Sequence, residues 1–347
     1  MLQHRTIVVA DHHKSVFVCQ VLDRETGEVR RLTLDARRGA LEPFLASLPR
    51  PAHLFVEACR SWEWVSDLCE DLSIDLDLVD ASRLPEIAKS TKKTDANDVQ
   101  AMVNRLMVTG ELPLSYRASR QERDLRGLTR QLSVLRKDKR KQVHRIHATI
   151  DAHGLPESKA SFDKAAWREA MQAKLSPSAW LVLESLLSQY DITSGWMAIL
   201  ERTLADQLKE NEDYQRLQEI PGVGPVIAAT ILAESAGIER FKSARKYAAF
   251  VGIVPTVRSS AGKGKDGHIT RTGPRDLRWA LGQATMVSLQ CKQETAVARM
   301  YKRKRKKGKH ARVAICAGAH KLARIVYVML TRKENFRAAP ARGKQAA

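Results

Sequence analysis

The feature that most restricts the fold is the order of short apolar runs near the start of the chain. Thr6–Ala10, Val16–Leu22 and Val29–Leu34 are rich in Val, Ile and Leu, and the turn sequence Asp23-Arg24-Glu25-Thr26-Gly27-Glu28 separates the last two. β-branched runs bounded by turn residues predict strands, here an antiparallel meander. Leu41–Leu48 then predicts a helix stopped by Pro51, His53–Val56 a buried strand, Trp62–Leu72 a helix and Leu76–Val79 a further strand. A helix over Asn97–Met107 follows. Three strands and then alternating helix and strand build a mixed sheet flanked by helices.

That order is a ribonuclease-H-like layout, and it gives the acids a pattern. Asp11 stands at the end of the first strand and Glu57 at the end of a later, neighbouring one. Lys92-Lys93-Thr94-Asp95-Ala96-Asn97-Asp98 opens the following helix with two carboxylates three residues apart. Side chains at i and i+3 share a helical face, and like charges held together call for a cation between them. A hard divalent ion with oxygen ligands meets that need. Each acid alone has a plainer explanation: a turn residue for Asp11, a surface acid for Glu57, an N-terminal cap and first-turn acid for the helix pair. Four carboxylates at these stations together are what two-metal phosphoryl transfer requires.

Charge divides the chain unevenly. Residues 1–110 hold 14 Lys and Arg against 17 Asp and Glu, a net of −3, while the remaining 237 hold 45 against 22, a net of +23. The overall +20 therefore belongs to the second part, which predicts a polyanionic partner for it. The five cysteines (Cys19, Cys59, Cys69, Cys291, Cys316) form no C-x-x-C pair and read as reduced core residues. Without a signal-peptide pattern or an apolar run near eighteen residues, a soluble, cytoplasmic protein with no membrane partner is expected.

Residues 115–153 are charge-dense and helical, with Leu125, Leu128, Leu132 and Leu135 on one stripe, continued by Val143, Ile146 and Ile150. Ile192, Trp196, Ile199, Leu204 and Leu208 supply a second stripe beyond a break at 154–178. Two such helices predict an antiparallel hairpin or an intermolecular coiled coil. Ile220-Pro221-Gly222-Val223-Gly224-Pro225 has the helix-hairpin-helix pattern, in which Gly222 and Gly224 would present backbone N–H groups to phosphate; an ordinary interhelical turn is the plainer reading. Arg258-Ser259-Ser260-Ala261-Gly262-Lys263-Gly264-Lys265-Asp266-Gly267 reads locally as a flexible basic loop. Functionally it would be a phosphate-binding loop that presents a serine, a poor nucleophile until a base, metal or positive field activates it. Arg271, Arg275 and Arg278 follow on the approach to, and within, a helix starting near Pro274. Lys302–Lys309, with seven basic residues in eight, reads as a disordered arm or a backbone contact, and Val313–Leu330 as an apolar helix.

The sequence resembles the DEDD-type transposases of insertion-sequence family one hundred and ten, the bridge-RNA-guided recombinases. The likeness runs through Val8-Val9-Ala10-Asp11, Phe55-Val56-Glu57-Ala58-Cys59, the Lys92–Asp98 stretch and Ile220–Pro225. It is strongest from Ala248-Ala249-Phe250-Val251-Gly252-Ile253-Val254-Pro255 through Ser259-Ser260 to Thr272-Gly273 and Leu277-Arg278. The chain departs from that pattern at Val9-Ala10, where a glycine usually precedes the Asp, at Arg60, and at Ala261, where glycine usually follows the serine.

The resemblance implies a RuvC-like N-terminal domain whose Asp11, Glu57, Asp95 and Asp98 coordinate magnesium. It also implies a coiled coil for assembly, and a transposase domain whose serine, Ser260 by position with Ser259 the alternative, becomes covalently linked to DNA. It further implies a composite site in a dimer or tetramer, and a structured guide RNA that pairs with donor and target DNA. The expected organisation is an α/β RuvC-like domain over 1–112, a helical coiled-coil region over 113–212, a mostly α transposase domain over 213–335 and a disordered tail over 336–347. The expected function is a metal-dependent DNA recombinase that excises and inserts an insertion sequence, with Lys263, Lys265 and Arg271 neutralising the scissile strand and Arg275 and Arg278 also on DNA. The alternatives are a structure-selective endonuclease using metal-activated water and a non-catalytic nucleic-acid binder.

Overall fold

The computed structural model describes residues 4–59, 61–88, 94–155, 162–260, 263–292 and 294–337, with the side chains of 88, 257–260 and 263–266 left aside. The chain divides into two compact units, Met1–Arg120 and Gln121–Ala347.

The first unit is a mixed α/β layer structure. In chain order it runs β1 (Thr6–His12), β2 (Val16–Asp23), β3 (Val29–Asp35), α1 (Arg38–Ala46), β4 (Ala52–Glu57), α2 (Trp62–Asp71), β5 (Asp75–Val79), α3 (Pro85–Ala88), α4 (Asp95–Thr109) and β6 (Leu114–Ser115). The six strands lie in the order β3-β2-β1-β4-β5-β6. The β1-β2-β3 meander is antiparallel, β4 and β5 continue parallel to β1, and β6 returns antiparallel. The antiparallel meander and the mixed sheet are those read from the sequence, β6 is additional, and the unit is compatible with a ribonuclease-H-like layout.

The pleat explains why β1 is buried along its whole length. Val8 and Ala10 point into one core with α1 and α2, through Leu41, Leu45, Val65, Leu68 and Cys69. Ile7 and Val9 point the other way, into a core closed by Val99, Met102 and Leu106 of α4. Because successive side chains alternate between faces, one strand serves both cores. Thr94 caps α4, its hydroxyl accepting from the Asn97 N–H at 3.3 Å, and Gly110 ends it in the left-handed conformation with φ +73°.

The second unit is mostly helical. α5 (Arg120–Ala152), which starts at the boundary, α6 (Ala165–Lys174) and α7 (Pro177–Leu208) precede α8 (Glu212–Gln218), α9 (Pro225–Glu234), α10 (Ala244–Val251), the hairpin β7 (Pro255–Ser260) and β8 (Lys263–Ile269), α11 (Arg275–Ser288), α12 (Ala296–Lys306) and α13 (Ala311–Arg332). α5 and α7 run antiparallel: Arg136 reaches Glu201 at 2.9 Å, Gln142 donates to Thr193 at 2.9 Å, and Ile146 and Ile150 share a core with Leu183 and Leu187. Leu132, Leu204 and Leu208 join the larger core formed with α8–α13. Glu234, 2% exposed, receives both arms of Arg130 at 2.7 and 3.0 Å.

Four expectations change. The break at 154–178 contains the helix α6, whose Met171 packs beneath α5 and α7. The stretch read as a flexible loop over 258–267 is instead an antiparallel ladder, with Arg258 opposite Lys265 and Ser260 opposite Lys263. In the basic run at 302–309, residues 302–306 are the end of α12, tied to the core by Val297 and Ala298, and 307–309 the turn after it, not a disordered arm. Finally, α13 is long and apolar enough to cross a membrane by length and composition, contrary to the hydropathy reading. Its Ala314, Ala319, Leu322, Ala323, Val326, Met329 and Leu330 are core residues of the helical unit.

Candidate functional site

The acids meet on one face of the first unit because of strand alternation. Asp11 continues the Ile7-Val9 row of β1, and Glu57 continues from Phe55 of β4, both on the side covered by α4. On α4, Asp95 and Asp98 begin the row that Val99, Met102 and Leu106 continue into the core. The apolar part of each row thus anchors the element, and its polar end is delivered to a common point. Asp11 is 3% exposed. Its carboxyl interacts with that of Glu57 and feels the charge of Asp95, while Glu57 feels Asp98. The four sequence-identified carboxylates are therefore linked in pairs, Glu57 and Asp95 to Asp11, and Asp98 to Glu57.

His13 is the residue that sequence reasoning missed. Its Nε2 lies 3.0 Å from Asp11 Oδ2 and 3.1 Å from Asp95 Oδ1, so it bridges β1 and α4. A signal for it existed: in extended chain, residues 11 and 13 face the same side. His12 points to the opposite face, where its Nδ1 is 3.4 Å from Cys59 Sγ and its ring meets Trp64 edge-on at 5.5 Å.

Burial and crowding set the protonation of the cluster. Burial pushes Asp11 upward, Asp95 adds to the push, and His13 opposes it. Glu57 rises to about 7, first through burial and then through Asp11 and Asp98. His13 is raised: burial works against its charge, but Asp11 and Asp95 outweigh it. Burial and the neighbouring His13 lower His12. Carboxylates resisting ionisation beside an imidazole favouring its cation show a local excess of negative charge. Asp11, His13 and Asp95 hold ligand atoms within 4.8 Å of one another, and a donor set of carboxylate oxygens fits a divalent cation.

In the helical unit the predicted positions fare differently. Ser259 and Ser260 lie in β7, and Lys263 and Lys265 in β8, but their side chains are outside the described residues. Gly222 has φ +96°, and a Cβ there would stand 2.5 Å from the Ala284 carbonyl oxygen and 2.8 Å from the Ser288 nitrogen of α11. It serves the close approach of two backbones. Gly224 is the open one of the pair, at the start of α9. Arg278 is half-buried and donates to the carbonyls of Gly273 and, at 3.1 Å, Val251, bracing the end of α10. Burial and then the nearby charges of Arg271 and Arg275 depress its pKa. Arg271 and Arg275 are exposed beside it, so the three form one cationic surface.

A mixed sheet thus carries a carboxylate cluster at one end of its central strands, on a chain whose second part is strongly basic. Residues 214–302 match the model of the transposase IS116/IS110/IS902 family. Over longer spans the chain is 26% identical to the transposase for insertion sequence element IS1328 of Yersinia enterocolitica, covering 85% of this chain and 88% of that one. It is 24% identical to a probable family 20 transposase of Pseudomonas aeruginosa (94% and 97% covered) and 26% identical to the transposase for insertion sequence element IS1111A of Coxiella burnetii (95% and 91%). The chain is thus similar along most of its length to named transposases, which are enzymes, and over residues 214–302 to the IS116/IS110/IS902 family.

Proposed function

We propose that this protein is a DNA transposase that excises and inserts an insertion sequence, with Asp11, Glu57, Asp95 and Asp98 as metal-holding acids and Ser260, or else Ser259, as nucleophile. The observation that carries the reading is the convergence of four carboxylates from β1, β4 and α4 in a chain that matches transposases along most of its length. Bound Mg2+ or Mn2+ would supply Lewis-acid stabilisation of charge on phosphate oxygens. The chain's own residues do the rest. The serine hydroxyl attacks phosphorus, an Oγ–P bond forms as the bond to the leaving sugar oxygen breaks, and the serine proton ends on that oxygen. Arg271 and Arg275, with Lys263, Lys265 and the basic face of α12, neutralise the DNA backbone. Gly224 at the start of α9 offers backbone N–H groups to phosphate in the manner of a helix-hairpin-helix.

The protein works as a homo-oligomer in the cytoplasm, at the nucleoid. Ile192, Trp196 and Ile199 lie at i, i+4 and i+7 along α7 and are 64%, 56% and 52% exposed, an apolar stripe suited to a second copy in a coiled coil. A structured RNA as guide fits the net +23 of the second part, because base pairing then supplies the sequence choice that phosphate contacts lack.

Recombination between donor and target plasmids, with the element's flanking RNA supplied, tests the reading. Asp11→Ala and Ser260→Ala should each abolish product. Loss with Ser259→Ala and not Ser260→Ala transfers the nucleophile to Ser259. Cutting that survives both serine substitutions overturns the serine mechanism in favour of an endonuclease that uses water.

A further inference from the structure

We propose that His13 is a nitrogen ligand of the ion held by the acid cluster, and that it tilts the site toward a first-row transition dication over Mg2+. The inference rests on the metal-binding reading above and extends it to a residue which that reading does not use.

Three observations carry it. Nε2 of His13 is equidistant, within 0.1 Å, from carboxylate oxygens on two separate elements, at 3.0 Å from Asp11 and 3.1 Å from Asp95. A hydrogen bond needs only one acceptor, whereas an octahedral ion with bonds of about 2.1 Å holds its neighbouring donors about 3 Å apart. The two N···O separations are those of neighbouring donors around one small cation, and all three ligand atoms lie within 4.8 Å of one another. Next, the trio of Asp11, His13 and Asp95 is the group among the described residues whose ligand atoms all lie within 4.8 Å of one another. The histidine therefore belongs to the tightest part of the cluster, ahead of Glu57 and Asp98. Third, the side chain approaches from the solvent side, 54% exposed, while Asp11 beneath it is 4% exposed. It can close over an ion already seated on the buried carboxylate.

The chemical consequence follows from donor type. Mg2+ keeps oxygen ligands and waters, and gains little from an imidazole. First-row transition dications accept nitrogen donors, with affinity rising along the series from Mn2+. An otherwise all-oxygen site with one imidazole therefore discriminates between these ions where four carboxylates alone would do so only weakly.

Electron spin-echo spectroscopy of Mn2+ added to the full-length protein reads the bond directly. The expected result is imidazole-nitrogen modulation in wild type, sensitive to isotopic labelling of histidine and absent from His13→Ala. Mn2+ affinity should fall about tenfold in that variant, the lower end of what disturbing a metal's ligand environment costs, with Mg2+ affinity nearly unchanged. His13→Asn, which keeps a polar group there, should behave as His13→Ala does and controls for misfolding. Bound Mn2+ without a histidine signal, or equal loss of both ions, overturns the assignment of His13 and leaves the acid site standing. Failure of wild type to bind Mn2+ at all, with Asp95→Asn no different, overturns both.

Discussion

Ala10 of β1 stands opposite Val56 of the parallel strand β4, so Glu57 follows beside Asp11 and feels its negative charge. Two acids so close cannot both ionise without cost, and Glu57 retains its proton to about pH 7 against 4.5 in the unfolded chain. An acid raised on folding stabilises the fold below the unfolded value, and that contribution is lost as pH climbs through the folded one. The metal-free protein should therefore melt at lower temperature at pH 8 than at pH 5.5. Glu57→Gln should flatten that part of the profile, as followed by circular dichroism across the window from 4.5 to about 7.

Divalent metal should reverse the same penalty. At a hundred times its dissociation constant an ion that binds only the folded state adds about 2.7 kcal/mol. For a chain of this size that is a rise of roughly 2–4 °C in melting temperature. The rise should appear in wild type and vanish in Asp11→Asn and Asp95→Asn; differential scanning fluorimetry with and without Mn2+ decides it. An equal rise in the variants places the ion elsewhere.

Gly273 is fixed by contact. A Cβ there would stand 1.6 Å from the Phe250 carbonyl oxygen and 2.7 Å from its carbon, both backbone atoms that cannot swing aside. Gly273→Ala should cost about 2–4 kcal/mol, measured by urea unfolding. Gly127 on α5, where an added Cβ would meet nothing within 4 Å, supplies the contrast: Gly127→Ala should be neutral or stabilise by up to about 1 kcal/mol.

Removing Arg130 strands a buried charge. Glu234 is 2% exposed and takes two hydrogen bonds from Arg130, with Arg126 further off at 3.9 Å. Arg130→Ala should destabilise the helical unit by about 3 kcal/mol, because the desolvated carboxylate loses both hydrogen bonds and keeps only the more distant Arg126. The double variant Arg130→Ala with Glu234→Gln should recover part of that loss, which a urea titration of the two proteins reveals.

Trp196 tests assembly. With Ile192 and Ile199 it forms the exposed stripe of α7. Trp196→Glu should shift the protein to a smaller species in light scattering after size exclusion, leaving the circular dichroism spectrum unchanged. An unaltered mass would put the oligomer contact on another surface.

The first unit was open to sequence reading because its strands announce themselves. Val, Ile and Leu runs bounded by Asp, Gly and Pro place β1–β5 to within a residue or two of their observed ends. Asp11 and Glu57 could be picked out because each ends such a run. The second unit was less legible. Serine, lysine and glycine between 258 and 267 carry no β-pattern, and the ladder there comes from pairing of one strand with the next. The basic end of α12 has a helical identity only because Val297 and Ala298 dock its start. Gly222 resembled an open phosphate-binding glycine, and only its neighbour α11 reveals a packing role.

Local order along the polymer was enough to assign the main strands and helices of the first unit and to single out its four acids as candidates, since strand alternation and helical periodicity are properties of adjacent residues. Which of those acids crowd one another, that a histidine two residues past Asp11 turns back to span β1 and α4, and that Ile192, Trp196 and Ile199 of α7 stay in solvent were settled by packing. Those facts depend on which distant elements come within a few ångströms of each other. Such proximity is fixed by the folded cores beneath the site and has no signature in the spacing of residues along the chain.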